Sequence, residues 1–180
     1  MNTDPDRSGQ AGALTVLTPI APGAEPELRA YLEGLREAGS PLARLPRTHF
    51  GRWVIVSELV PEDEPEPDRL AGPYLLFTAS FDGPLDSYLD ELCGELTAEA
   101  REIWGRCSGA PRPPVGAPLK AYLRAHHQTT GFFVAAYPKA TVAQVHAALA
   151  QREGVIAFAR AAQGMDPAHL QAAFLERLGG

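Results

Sequence analysis

Two pairs of side chains carry most of the chemistry this sequence could do: His49 with Arg52, and His126 with His127. An imidazole titrates near neutral pH and serves as a base or a ligand. A guanidinium keeps its charge and reads carboxylates through paired N–H donors. His49 and Arg52 stand three apart in the run THFGRWVIV. Successive strand residues alternate faces, so these two point to opposite sides and do not make one tight site. By the same alternation His49 shares its face with Trp53. Arg52 stands among valines and reads in one of three ways: paired with an acidic side chain brought by a helix, snorkelling to water from a sheet edge, or binding a carboxylate ligand. His126 and His127 diverge by about 100° on a helix and cannot chelate one metal. At a helix C-terminus the dipole favours their charged form. His146 lies beside the apolar stripe of a later helix. It is either an axial haem ligand, the usual role of imidazole there, or an ordinary histidine of the helix surface or core.

Other constellations are excluded by spacing. Cys93 and Cys107 are the only cysteines, and no CxxC or HxxxH spacing accompanies them, so no metal site is expected. Cys93 falls on an apolar helical stripe and reads as a core residue. The chain contains no GxSxG, P-loop, GxGxxG or HExxH motif. Asp82 and Asp86 read as residues of a helix start, not as an acid–base pair.

The elements that position these residues follow from apolar periodicity. Strands are expected over 13–20, 48–59, 74–81 and 131–137. Helices are expected over 25–38, from Leu85 with a continuation from Thr97 to Trp104, near 119–127, over 142–152 with Val142, Val145 and Leu149 inward, and over 168–178. Residues 155–160 read as either a fifth strand or more helix. Asp82-Gly83-Pro84 reads as a cap with a preset first turn, and Asp166-Pro167 gives the same signal for the last helix. Residues 1–12 read as a disordered tail, leaving 13–180 as a single domain. PEDEPEPD at 61–68 is an acidic solvated loop. The order contains βαββαβ, the ferredoxin-like split pattern: an α+β fold with an antiparallel sheet and additional C-terminal helices.

Period-2 accounting yields the main functional expectation. In the second strand His49, Gly51, Trp53 and Ile55 oppose Phe50, Arg52, Val54 and Val56. In the third, Leu75, Phe77, Ala79 and Phe81 oppose Tyr74, Leu76, Thr78 and Ser80. In the fourth, Phe132, Val134 and Ala136 oppose Gly131, Phe133, Ala135 and Tyr137. Neither face is clearly polar, and leaving several such side chains wet costs about 1.5–3 kcal/mol each. A second copy of the chain, the C-terminal helices or a flat apolar ligand should therefore cover the second face.

Composition narrows the classes. The chain of 180 residues is 45% apolar with a formal net charge of −6. An acidic chain without a basic cluster does not suit nucleic acid. No apolar run approaches the roughly 20 residues that span a bilayer, and the N-terminus lacks the pattern of a secretory signal. No membrane partner is expected, and the location read from the sequence is cytoplasmic.

Four segments, THFGRWVIV, LLFTASFDGPLDSYLDEL, IWGRCSGAP and FFVAAYPKATVAQV, resemble ferredoxin-like regions associated with haem peroxidase-type proteins. These belong to the dimeric α/β-barrel group, which includes dye-decolourising peroxidases and chlorite dismutases. The resemblance covers roughly residues 48 to 146. It implies a ferredoxin-like unit that pairs or duplicates around a pocket. His49, Arg52 and the turn Phe81-Asp82-Gly83 match the pattern, with no catalytic role attached. The chain departs from the catalytic members in lacking a GxxDG-type distal loop with its matching Asp and Arg.

The expectation is then a homodimeric small-molecule-binding protein of the dimeric α/β-barrel type. Its ligand is largely apolar, with haem among the candidates, and His49, Arg52, Trp53 and Tyr137 supply the contacts. His146 is the candidate axial ligand. The alternatives are a non-catalytic protein–protein interaction module, or a cofactor-free barrel enzyme acting on an aromatic substrate with His49 as general base.

Overall fold

The computed structural model describes residues 4–58 and 72–178. The acidic loop at 61–68 lies outside the described residues. The chain divides into two compact units, Met1–Val142 and Ala143–Gly180, where the sequence suggested one domain over 13–180.

The first unit is an α+β layer. Its strands are β1 (Arg7–Ser8), β2 (Ala11–Pro19), β3 (Thr48–Val56) and β4 (Tyr74–Asp82). They form one antiparallel sheet in the order β1-β2-β4-β3. The three long strands fall within a few residues of the expected ranges, because β-branched and aromatic residues fill a pleated surface well. Helices α1 (Glu25–Ala38), α2 (Leu85–Glu95), α3 (Thr97–Ile103) and α4 (Gly116–Ala125) supply the other layer.

The core lies between the layers. Leu14, Val16, Leu75, Phe77 and Phe81 of the strands are at most 1% exposed. Leu28 of α1, Tyr88, Leu89 and Leu92 of α2, and Leu119 and Leu123 of α4 meet them in one cluster. Phe81 stacks on Tyr88 with centroids 4.0 Å apart, and Phe77 meets Trp104 edge-on at 5.5 Å. A Cβ on Gly12 would lie 2.8 Å from the Phe81 ring, so the ring's seat requires a glycine on the neighbouring strand. Cys93 is buried, as its stripe position predicts, and Cys107 is buried with it; both thiols are free. Loss of hydration pushes Cys93 up to about 12 and Cys107 to about 11, so neither supplies a thiolate near neutral pH.

Several expectations are corrected. Residues 1–12 are not a frayed tail from Asp4 onward. Arg7 and Ser8 pair with Gly12 and Ala11, and Arg7 Nη1 donates to the Gly83 carbonyl at 3.1 Å. Gly9 makes that hairpin fit, with φ +65° and a Cβ position only 2.0 Å from the Pro138 carbonyl oxygen.

Residues 131–137 form no strand. The place beside β2 is taken by β1 and by a single bridge from His127 to Val16. Leu17 N–H donates to the His126 carbonyl at 3.1 Å and Gln128 N–H to the Thr15 carbonyl at 2.8 Å. Asp82 does not cap α2. Its Oδ2 accepts from the Val142 N–H at 2.7 Å, at the start of α5 (Val142–Ala161).

The second unit holds α5, after its first residue, and α6 (Pro167–Leu178). Residues 155–160 continue α5. Phe158 and Phe174 meet with centroids 5.9 Å apart and join the two helices. Asp166 Oδ1 accepts from the N–H groups of Ala168 and His169 at 3.1 and 3.2 Å, the cap its sequence signals. Val142 is buried, but Val145 and Leu149 are exposed rather than inward.

Candidate functional site

The outer face of the sheet, opposite α1–α4, is built by register. Arg52 stands across from Thr78, and Thr78 across from Thr15. With strands about 4.8 Å apart, this makes a polar row about 10 Å long across three strands. On one side of it lies the row Phe50, Ser80, Ala13. On the other lies Val54, Leu76, Leu17. The polar row thus crosses an otherwise largely apolar surface.

The first part of the segment after α4 closes one side. Thr130 and Phe133, both half-buried, line a cavity of about 510 Å³ together with Phe50, Arg52, Thr78, Ser80 and Thr15. That volume falls within the range of small-molecule sites. Asp6 fixes this wall. Its Oδ1 accepts from Thr130 N–H at 2.7 Å, and its Oδ2 meets His127 Nε2 at 3.0 Å. His127 Nδ1 in turn donates to the Thr15 carbonyl at 3.1 Å. Burial raises the Asp6 carboxyl, but the Thr130 and His127 hydrogen bonds outweigh it and hold the group below the usual carboxylate value.

Among the described residues that line the cavity, Arg52 is the one charge and none is acidic; its Nε donates to Thr78 Oγ1 at 3.2 Å. No carboxylate from α1–α4 pairs with Arg52 among the described residues, because Arg52 stands on the sheet face opposite those helices.

The remaining expected residues are dispersed. A bulge between Thr48 and Phe50 inserts His49 into β3 and removes it from the alternation, so it does not share a wall with Trp53. His49 Nε2 meets Asp82 Oδ1 at 2.8 Å instead. A histidine oriented by a carboxylate suits a general base, but His49 lines none of the cavities described here. Trp53 points to the helix side, stacked on Phe77 at 5.2 Å. It lines a cavity of about 570 Å³ with Leu32, Leu35 and Leu42, where its Nε1–H has no hydrogen-bond partner. In that cavity Arg29 is paired with Glu25 at 2.7 Å, and Glu33 stands on the rim with Arg36. Its described lining thus includes an acid, unlike that of the outer cavity. Tyr137 is 81% exposed and lines neither cavity.

His146 is exposed on α5, and no histidine lines the two cavities or a third of about 460 Å³ near Pro19 and Tyr74. None of these three cavities therefore offers a histidine as an axial haem ligand. No cluster of three or more metal-ligating side chains occurs among the described residues.

Alternation read from the sequence put Phe50 with Arg52 on one face of their strand and Thr78 with Ser80 on one face of theirs, without telling which face meets the helices. It missed Asp6, Thr130 and the role of His127, because these join segments far apart in the chain. No helix among the described residues is long and apolar enough to cross a membrane. In comparisons with family models, with curated proteins and with solved structures, nothing matches this chain.

Proposed function

We propose that this protein binds a small, largely apolar molecule on the outer face of its sheet. The observation that carries this reading is Phe50, an aromatic side chain 79% exposed at the mouth of a cavity walled by Phe133. A ring held in water on a strand is stabilised when a ligand covers it, at about 25 cal/mol per Å² of apolar area removed. The scaffold fits a ferredoxin-like core in which the last strand is reduced to the His127 bridge, with β1 filling the rest of its place.

NMR chemical-shift mapping with a neutral naphthalene derivative tests this directly. Perturbations should centre on Phe50, Thr78 and Phe133 and vanish in Phe50→Asp. Perturbations confined to Trp53 and Leu42 would move the site to the α1 side and end this reading.

A second reading is an interface, with a homodimer as its simplest form. Phe132, Val134 and Tyr137 are 84, 64 and 81% exposed within residues 132–137, more than isolated surface residues require. Light scattering of the wild type and of Phe132→Asp across a concentration series tests it. A monomer at every concentration for both would remove the homodimer.

A further inference from the structure

We propose that the ligand of the outer cavity carries an anionic head, a carboxylate, and that Arg52 binds it. This rests on the outer-face reading above and adds the chemistry of the ligand. A guanidinium has five N–H donors in a planar fork. Arg52 spends one of them, Nε–H, on Thr78 Oγ1 at 3.2 Å. That bond orients the group along the polar row and leaves the terminal nitrogens to a ligand.

Among the described residues no Asp or Glu lines the cavity, and the formal charge on that lining is positive. The hydroxyls of Thr15, Thr78 and Ser80 lie along the floor, at the registers next to Arg52. Each can donate to an oxygen the guanidinium does not reach. Phe50 and Phe133 sit on the walls, where an apolar body belongs. A planar carboxylate matches the fork through two parallel N–H···O bonds. The class is therefore a monocarboxylate with an aromatic or short aliphatic body.

Isothermal titration of the full chain with 2-naphthoate and octanoate, each beside its neutral amide, tests the assignment. The acids should bind about ten- to a hundred-fold tighter than the amides, as a charge-assisted bond implies. Arg52→Met, on an exposed strand position, should erase the preference of acid over amide. Arg52→Lys should restore part of it. Equal binding of acid and amide to the wild type overturns the anionic head while the cavity reading stands. So does a preference that survives in Arg52→Met. Absence of binding by all four probes overturns the cavity reading itself. If the acids show no preference and Arg52→Met instead dissolves a dimer seen by light scattering, a carboxylate of a second copy fills the site and the proposal falls.

Discussion

The two faces of this sheet share strands, backbone and much of their apolar composition, yet they differ in fate. The inner face presents Leu14, Val16, Leu75, Phe77 and Phe81 to four helices, and water is excluded. The outer face presents Phe50 at 79% and Val54 at 37% exposure, with Arg52 and a hydroxyl row between them. Alternation along a strand sorts side chains into two sets, but only what packs on each set decides which becomes core. An inner residue therefore contributes mainly to stability, and an outer one is free to contribute to binding.

Substitutions can break this contrast. The largest effect belongs to Phe77→Ala. It should cost about 3–5 kcal/mol in urea unfolding, because the ring touches both Trp53 and Trp104 and the cavity left cannot collapse. A cost under about 1 kcal/mol would mean the inner face is not the sealed one.

Next is Asp6→Ala, which leaves the Thr130 N–H and His127 Nε2 without their acceptor and should cost about 1–3 kcal/mol. It should also loosen the wall that carries Phe133, read as faster amide exchange at Thr130.

The pH dependence sharpens the same point. The folded Asp6 carboxyl lies below its unfolded value. Its stabilisation is therefore complete above the unfolded value of about 3.9 and is lost as pH falls through the folded one. The stability gap between wild type and Asp6→Ala should be full at neutral pH and shrink in acid. A gap that widens in acid would reverse the assignment.

The smallest effect on stability belongs to Phe50→Ala. An exposed side chain removed from a strand should change unfolding by no more than about 0.5 kcal/mol. Binding at the outer cavity should nonetheless weaken at least tenfold. A large stability loss with unchanged binding would make Phe50 a structural residue and the contrast between faces an illusion.

Much of this fold is legible in the residues because its signals are local. LLFTASFDGPLDSYLDEL gives β4 and α2 by a change of period from two to 3.6. Asp166-Pro167 gives the start of α6 through bonds made within three residues. FFVAAY reads equally well as a strand, yet it forms none. A strand needs a neighbour with matching length and register, and β1 with His127 already occupies the side of β2. No alternation of apolar residues encodes that competition.

The sequence by itself determined the long strands and most helices, the two-sided greasiness of the sheet, and the placing of Arg52 and Trp53 on opposite faces, because each depends on residues a few positions apart. Only the tertiary structure decided that Asp6 would hold Thr130, that His49 would leave the alternation to meet Asp82, and that Arg52 would face a cavity with no acid among its described lining residues. Those are meetings of chain segments distant in sequence, and their energy exists only once the backbone has brought them within hydrogen-bonding reach.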